Sequence, residues 1–148
     1  MDVLGSDGTR ESWCLRVDEG DEFGITLTSP GGAQWHAAGD DLFDALKGLR
    51  RQIEPLGYLL LCNGARVDVF PSNMLRASSG GWLVYVLEKG KAARKQVGVL
   101  DSADPAEVGT VAEQQEYYES WLRSPRRYGL LDRGRDALAE LWHRWRHR

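Results

Sequence analysis

Apolar and polar residues alternate with a period of two along Phe23–Thr28 (FGITLT). Phe23, Ile25 and Leu27 share one side, and Gly24, Thr26 and Thr28 the other. That period predicts a half-buried antiparallel strand. Residues 13–18 (WCLRVD) alternate more loosely, and an acidic turn, Glu19-Gly20-Asp21-Glu22, joins the two runs. The pair reads as a hairpin. Residues 34–38 (QWHAA) predict a third short strand, and the polar, Gly-containing residues 1–10 predict a frayed end. Residues 58–62 (YLLLC) are an unbroken apolar run, the pattern of a strand buried on both faces. Asn63-Gly64 then signals a tight reversal, after which residues 67–70 (VDVF) are expected to pair back with that strand. Trp82, Val84 and Val86 alternate with Leu83, Tyr85 and Leu87, so both faces are apolar and a central strand is expected. Residues 95–100 predict one more.

Helical spacing begins at Leu42. Leu42, Leu46, Leu49 and Ile53 form an apolar stripe widened by Phe43 and Ala45, with Lys47, Arg50 and Arg51 assigned to the solvated side. Asp40 or Asp41 is the expected cap, and Pro55 and Gly57 the stop. Ser72 reads as the cap of a short turn over residues 73–77. A second helix is expected from about Pro105 to Leu122, ended by Pro125. In the last segment Leu138, Leu141, Trp142 and Trp145 fall at i, i+3, i+4, i+7, an amphipathic helix with an arginine-rich opposite side. The order of elements predicts an α+β fold. A mostly antiparallel sheet carries helices packed on one face and is followed by a C-terminal amphipathic helix. The division is an α+β domain over residues 1–124 and a basic helix over 125–148.

Composition narrows the function classes. The length of 148 residues is enough for one domain with a real core, and 42% hydrophobic and 28% charged residues are ordinary for a globular protein. No apolar run is long enough to span a bilayer, and the first residues carry no basic and apolar leader pattern, so a cytoplasmic location is expected. Cys14 and Cys62 each lie in an apolar strand pattern and read as buried small hydrophobes rather than a disulfide or metal pair. Charge is unevenly spread. Residues 123–148 carry eight arginines against Asp132, Asp136 and Glu140, a balance of +5; the whole chain stands at −3, so residues 1–122 stand at −8. An acidic body suits a cationic partner, and a basic tail suits an anionic one or the body itself.

The densest polar group follows the apolar run at 58–62. Asn63, Arg66, Asp68, Ser72 and Arg76 are candidates for a ligand site, in which the two guanidinium groups would hold a carboxylate or phosphate. The same residues also make ordinary turn chemistry: a reversal at Asn63, an Arg66–Asp68 pair and a cap at Ser72. Ser78-Ser79-Gly80-Gly81 lacks the lysine and spacing of a phosphate loop. His143 and His147 stand at i, i+4 without a metalloprotease glutamate and among arginines that repel a dication. No metal or cofactor is therefore expected. His36 would meet Cys14 or Cys62 only by tertiary coincidence, no catalytic residue is assigned, and an enzymatic role ranks below a binding one. Asp18, Glu19, Asp21 and Glu22 are candidates for contact with a basic protein, and Leu138, Leu141, Trp142 and Trp145 for contact with protein, in this chain or another. An acidic body argues against nucleic acid, and a short tail with few large apolar residues argues against membranes.

The pattern Asn63-Gly64-Ala65-Arg66, Asp68-Val69, Pro71-Ser72 and Met74 is followed by Gly80-Gly81 and an aromatic strand. A later helix carries Glu113, Gln114 or Gln115, Tyr117/Tyr118 and Trp121. This arrangement is similar to a family of small bacterial α+β proteins of uncharacterised role, and the Arg, Ala, Gly and Asp bias suits a GC-rich, actinobacterial type of genome. In size and charge, over about residues 12–122, the chain also resembles the immunity proteins of bacterial toxin systems. The charge and this likeness lead to a first reading, a non-enzymatic cytoplasmic protein-binding module, immunity-like, whose acidic body engages a basic protein; the apolar stripe of the tail must be buried somewhere, most simply in a homodimer. The alternative is a small domain that binds an anionic molecule, or acts on it, through the Arg66/Asp68/Ser72/Arg76 group.

Overall fold

The computed structural model describes residues 1–125 of the chain. The strands are β1 (Asp2–Gly5), β2 (Arg10–Ser12), β3 (Cys14–Glu19), β4 (Phe23–Thr28), β5 (Gln34–Gly39), β6 (Tyr58–Leu60), β7 (Val69–Phe70), β8 (Leu83–Val86) and β9 (Lys95–Gly98). The helices are α1 (Leu42–Ile53), α2 (Asn73–Ser79) and α3 (Val111–Arg123). The fold is α+β. Every strand pairing is antiparallel, and the strands divide into three sheets ordered β2-β1-β6, β3-β4-β5 and β7-β8-β9. The C-terminal amphipathic helix expected over 125–148 lies outside the described residues beyond Pro125, and Leu138, Leu141, Trp142 and Trp145 with it.

The β3–β4 hairpin forms as its alternation predicts, with Leu15 opposite Leu27 and Val17 opposite Ile25. Ile25 and Leu27 are fully buried beneath α1, which packs over β4 and β5. Asp41 is the cap of α1: its carboxylate accepts from the Asp44 N–H at 2.8 Å. After Ile53 a 3₁₀ turn over Glu54–Leu56 carries Pro55, and Gly57 turns the chain with φ 90°. Leu42, Phe43, Ala45, Leu46, Leu49 and Ile53 show no exposure, so α1 is the element around which the core is built.

Aromatic side chains tie the sheets together. Trp13, between β2 and β3, stacks on Trp35 of β5 at 5.4 Å and meets Tyr58 of β6 edge-on at 4.9 Å. On the other side of α1, Phe43 meets Phe70 of β7 at 5.5 Å, and Phe70 stacks on Tyr118 of α3 at 3.9 Å.

Several expectations fail for identifiable reasons. The first residues are not frayed: β1 is the middle strand of its sheet, with Val3 buried. The run at 58–62 supplies only a three-residue strand at the edge of that sheet, and Tyr58 and Leu59 are half-buried. Leu60, Leu61 and Cys62 are buried in the core, as the unbroken run predicts. Asn63-Gly64 does not reverse the chain into a hairpin. It opens a 3₁₀ turn over Asn63–Ala65, and Gly64 has no positive φ. Glycine is needed there because a Cβ would overlap the Leu46 and Val99 side chains. Residues 69–70 consequently pair with β8 rather than with β6. The second helix starts at Val111, not near Pro105. The Val67 N–H donates to the Glu107 carbonyl and the Gly109 N–H to Ala65, so the backbone of 107–109 is already engaged with residues 65–67. Thr110 and Glu113 then form a capping box. Cys14 lies on the outer face of its strand and is exposed, while Cys62 is buried as expected. Arg50, assigned to solvent, is 1% exposed.

Candidate binding surface

Polar side chains of the described residues fall into a buried clasp, a set of surface pairs and an acidic end. Arg50 makes the clasp. It follows Leu49 and precedes Ile53 by three, so its Cβ is carried on the inward face of α1. Its guanidinium donates to Glu54 Oε1 at 3.2 Å, the Gly64 carbonyl at 3.1 Å, the Gly109 carbonyl at 3.0 Å and Gln114 Oε1 at 2.8 Å. Gln114, also buried, donates in turn to the carbonyls of Gly64 and Arg66. Glu54 accepts from the Val111 N–H at the start of α3. Burial pushes the Arg50 pKa down while Glu54 pulls it up. Four hydrogen bonds hold this nearly unexposed guanidinium to main chain and side chains of the fold, so the clasp is a fastening between α1, the 63–66 turn and α3. Cys62 is fully buried beside it, and desolvation raises its thiol pKa to about 11.

The five polar candidates after residue 62 do not converge on one point. Asn63 donates its amide to the Gly98 carbonyl at 3.1 Å. Arg66 bonds Asp68 through two nitrogens, both at 2.9 Å, and Glu107 at 2.8 Å; the Asp68 bond, opposed by partial burial, raises its pKa. Ser72 caps α2 by accepting from the Leu75 N–H at 3.1 Å. Arg76 bonds Asp44 at 2.8 Å and Asp41 at 3.1 Å, and of the other four only Ser72 shares its cavity, which Asp40, Asp41, Asp44, Phe70 and Tyr118 also line. Partial burial works against the Arg76 charge, and those two carboxylates outweigh it and raise its pKa. Its guanidinium also lies over the Phe43 ring at 5.0 Å. Among the described residues no buried side-chain nitrogen or oxygen lacks a partner, and no group of three or more His, Cys, Asp or Glu side chains converges as a metal-ligand set. His36 sits on the outer face of its sheet with Nδ1 at 3.0 Å from Thr26 Oγ1; Cys14 belongs to the next row, two strands away.

The acidic residues do gather. Asp18, Glu19, Asp21 and Glu22 are exposed around the tip of the β3–β4 hairpin. Phe23 pairs with Gly39, so exposed Asp40 follows on the neighbouring strand, next to Asp41 and Asp44 at the start of α1. Gly80 and Gly81 bring the end of α2 to the same place. The Gly80 carbonyl accepts from the Leu42 N–H at 2.9 Å, and a Cβ on Gly80 would touch Phe23. Trp82, 39% exposed, follows directly and donates its indole N–H to Glu19 at 2.9 Å. The cations here are Arg16, paired with Asp18, Arg76, and Lys47, which sits over Phe43 and Phe70. Desolvation holds the Lys47 pKa below the usual lysine range; Asp44 opposes this and Arg76 adds to it.

Sequence reasoning found the hairpin acids but not Trp82 or the Asp40–Asp44 group. The sequence pattern puts Trp82 on one apolar face of a central strand, whereas in the fold it stands exposed just before β8. The usable signal was its position: it follows two glycines, both with positive φ, where the strand has not yet begun. The chain matches no protein-family model, and no curated protein is significantly similar to it.

Proposed function

We propose that the protein is a non-enzymatic, cytoplasmic binding module, immunity-like in character, whose acidic end engages a basic protein. The observation that carries this reading is the convergence of Asp18, Glu19, Asp21, Glu22, Asp40 and Asp44 around a part-exposed tryptophan. Seven carboxylates, counting buried Asp41, outnumber Arg16, Lys47 and Arg76, the cations described beside them. Such a field speeds encounter with a cationic surface, and a tryptophan beside it is the residue type most enriched among energetic anchors of interfaces. The anionic-molecule reading has less support, because both arginines it relies on are already held by carboxylates.

Affinity capture from the native host, with wild type and an Asp21→Lys/Glu22→Lys variant compared side by side, tests the proposal. A basic protein held by wild type and lost in the variant is expected, with affinity falling steeply as salt is raised. Capture that is indifferent to both changes would sink it.

A further inference from the structure

We infer that the free edge of β3 pairs with the same edge of a second copy of this chain, in an antiparallel arrangement centred on Val17. β3 is the outer strand of the β3-β4-β5 sheet, and among the described residues only β4 pairs with it. In an antiparallel strand every second residue turns its N–H and C=O away from its partner, so the far edge of β3 offers a row of open main-chain groups. The opposite edge of the sheet is covered differently: Gln52 of α1 donates to the His36 carbonyl of β5 at 2.7 Å. The inward residues of β3, Leu15 and Val17, pack on the core yet stay half-exposed, which an added strand would change.

Charge selects both the occupant and the register. To continue the sheet with its core side unbroken, paired residues must point to the same face. Two self-pairings of Cys14–Glu19 satisfy this over most of the strand. One is centred on Arg16 and sets Arg16 directly against Arg16 of the second copy. The other is centred on Val17 and sets Arg16 against Asp18, and Asp18 against Arg16, across the two-fold axis. Like charges directly opposite destabilise a pair of strands and opposite charges stabilise it. Only the Val17 register is self-complementary. It adds to the existing Arg16–Asp18 pair, 3.3 Å apart within one strand, so that four charges of alternating sign line the outer face. It also puts Val17 against Val17, and Leu15 beside the aliphatic stem of Glu19 of the second copy. The inference does not depend on the basic-partner reading, because exchanging the two charges leaves the net charge of the acidic end unchanged.

Sedimentation equilibrium of the full chain up to about 1 mM, with three variants, tests this. Arg16 and Asp18 side chains are 70% and 57% exposed, so substitution there leaves the fold intact, as circular dichroism would verify. Wild type is expected to dimerise. Arg16→Asp and Asp18→Arg each set like charges opposite one another and should weaken the dimer at least tenfold. The exchange variant Arg16→Asp/Asp18→Arg restores opposite pairs and should recover most of the wild-type affinity. A wild-type monomer at every concentration overturns the inference. So does a dimer that both single variants leave untouched, which would place self-association on another surface. An exchange variant no better than the singles overturns the Val17 register.

Discussion

Cys14 and Cys62 look alike in the sequence, each flanked by apolar residues, and the fold treats them oppositely. Cys14 is outward on an edge strand; Cys62 is sealed beneath α1 with its pKa raised to about 11. Native protein should therefore consume one thiol reagent equivalent quickly from among these two, and the second only in denaturant. Peptide mapping of the labelled protein would identify which, and rapid labelling of Cys62 would contradict its burial. The same shift has a consequence at high pH. A thiol whose pKa is higher folded than unfolded binds its proton more tightly in the native state. Its contribution is complete below pH 9.0, the ordinary value, and is lost as pH rises through about 11, amounting to roughly 3 kcal/mol at most. Tyr117, raised by burial and then by Asp68 and Glu88, pushes the same way. Lys47, whose pKa is lowered, pushes the opposite way, so the thiol is isolated by comparison with Cys62→Ala. The variant's unfolding free energy should decline less steeply between pH 9 and 11. Parallel curves would mean that Cys62 ionises as freely folded as unfolded.

Between elements, the Arg50 clasp lets one side chain fasten α1, the 63–66 turn and the entry to α3. Truncation by Arg50→Ala would leave Glu54, Gln114 and the Gly64 and Gly109 carbonyls short of donors in a dry site. A loss of about 3–5 kcal/mol is expected, as when one member of a buried ion pair is removed. Gln114→Leu keeps the volume but deprives Arg50 of one acceptor and the Gly64 and Arg66 carbonyls of one donor each, and should cost about 1–3 kcal/mol. Because the two side chains share the Gly64 carbonyl, their effects should not add; a double-mutant cycle by urea denaturation measures the coupling, and strict additivity would deny that the clasp acts as a unit.

At the level of elements the sequence was legible wherever one face of a repeat met solvent. β3, β4, β5 and α1 were all readable from period and caps. Legibility failed where tertiary pairing decided the outcome. β1 has too few residues to show a period, the 58–62 run gave only a three-residue edge strand, and Asn63-Gly64 served close packing instead of a reversal. The Arg66–Asp68 pair and the Ser72 cap could be read locally. The Arg76 contacts to Asp41 and Asp44 span more than thirty residues of chain and could not.

Across the described residues, three small sheets share one core with α1. Leu46 sits at its middle, fully buried, and the 63–65 turn that leads toward the third sheet closes against it through Gly64. Gly81 makes the companion contact at the other end of the helix: with φ 78° and an ideal Cβ only 2.6 Å from the Phe43 nitrogen, it admits no side chain. If α1 is the shared support, Leu46→Ala should cost about 2–5 kcal/mol, the range for a truncated buried leucine. The loss should be felt equally far from the substitution. Native-state hydrogen exchange gives the test, since the slowest amides of β1, β4 and β8 each report the stability of a different sheet. All three should lose the same protection free energy, matching the loss measured by urea. A drop confined to β4, with β1 and β8 keeping wild-type protection, would show that the sheets unfold separately and that α1 supports only the one it covers.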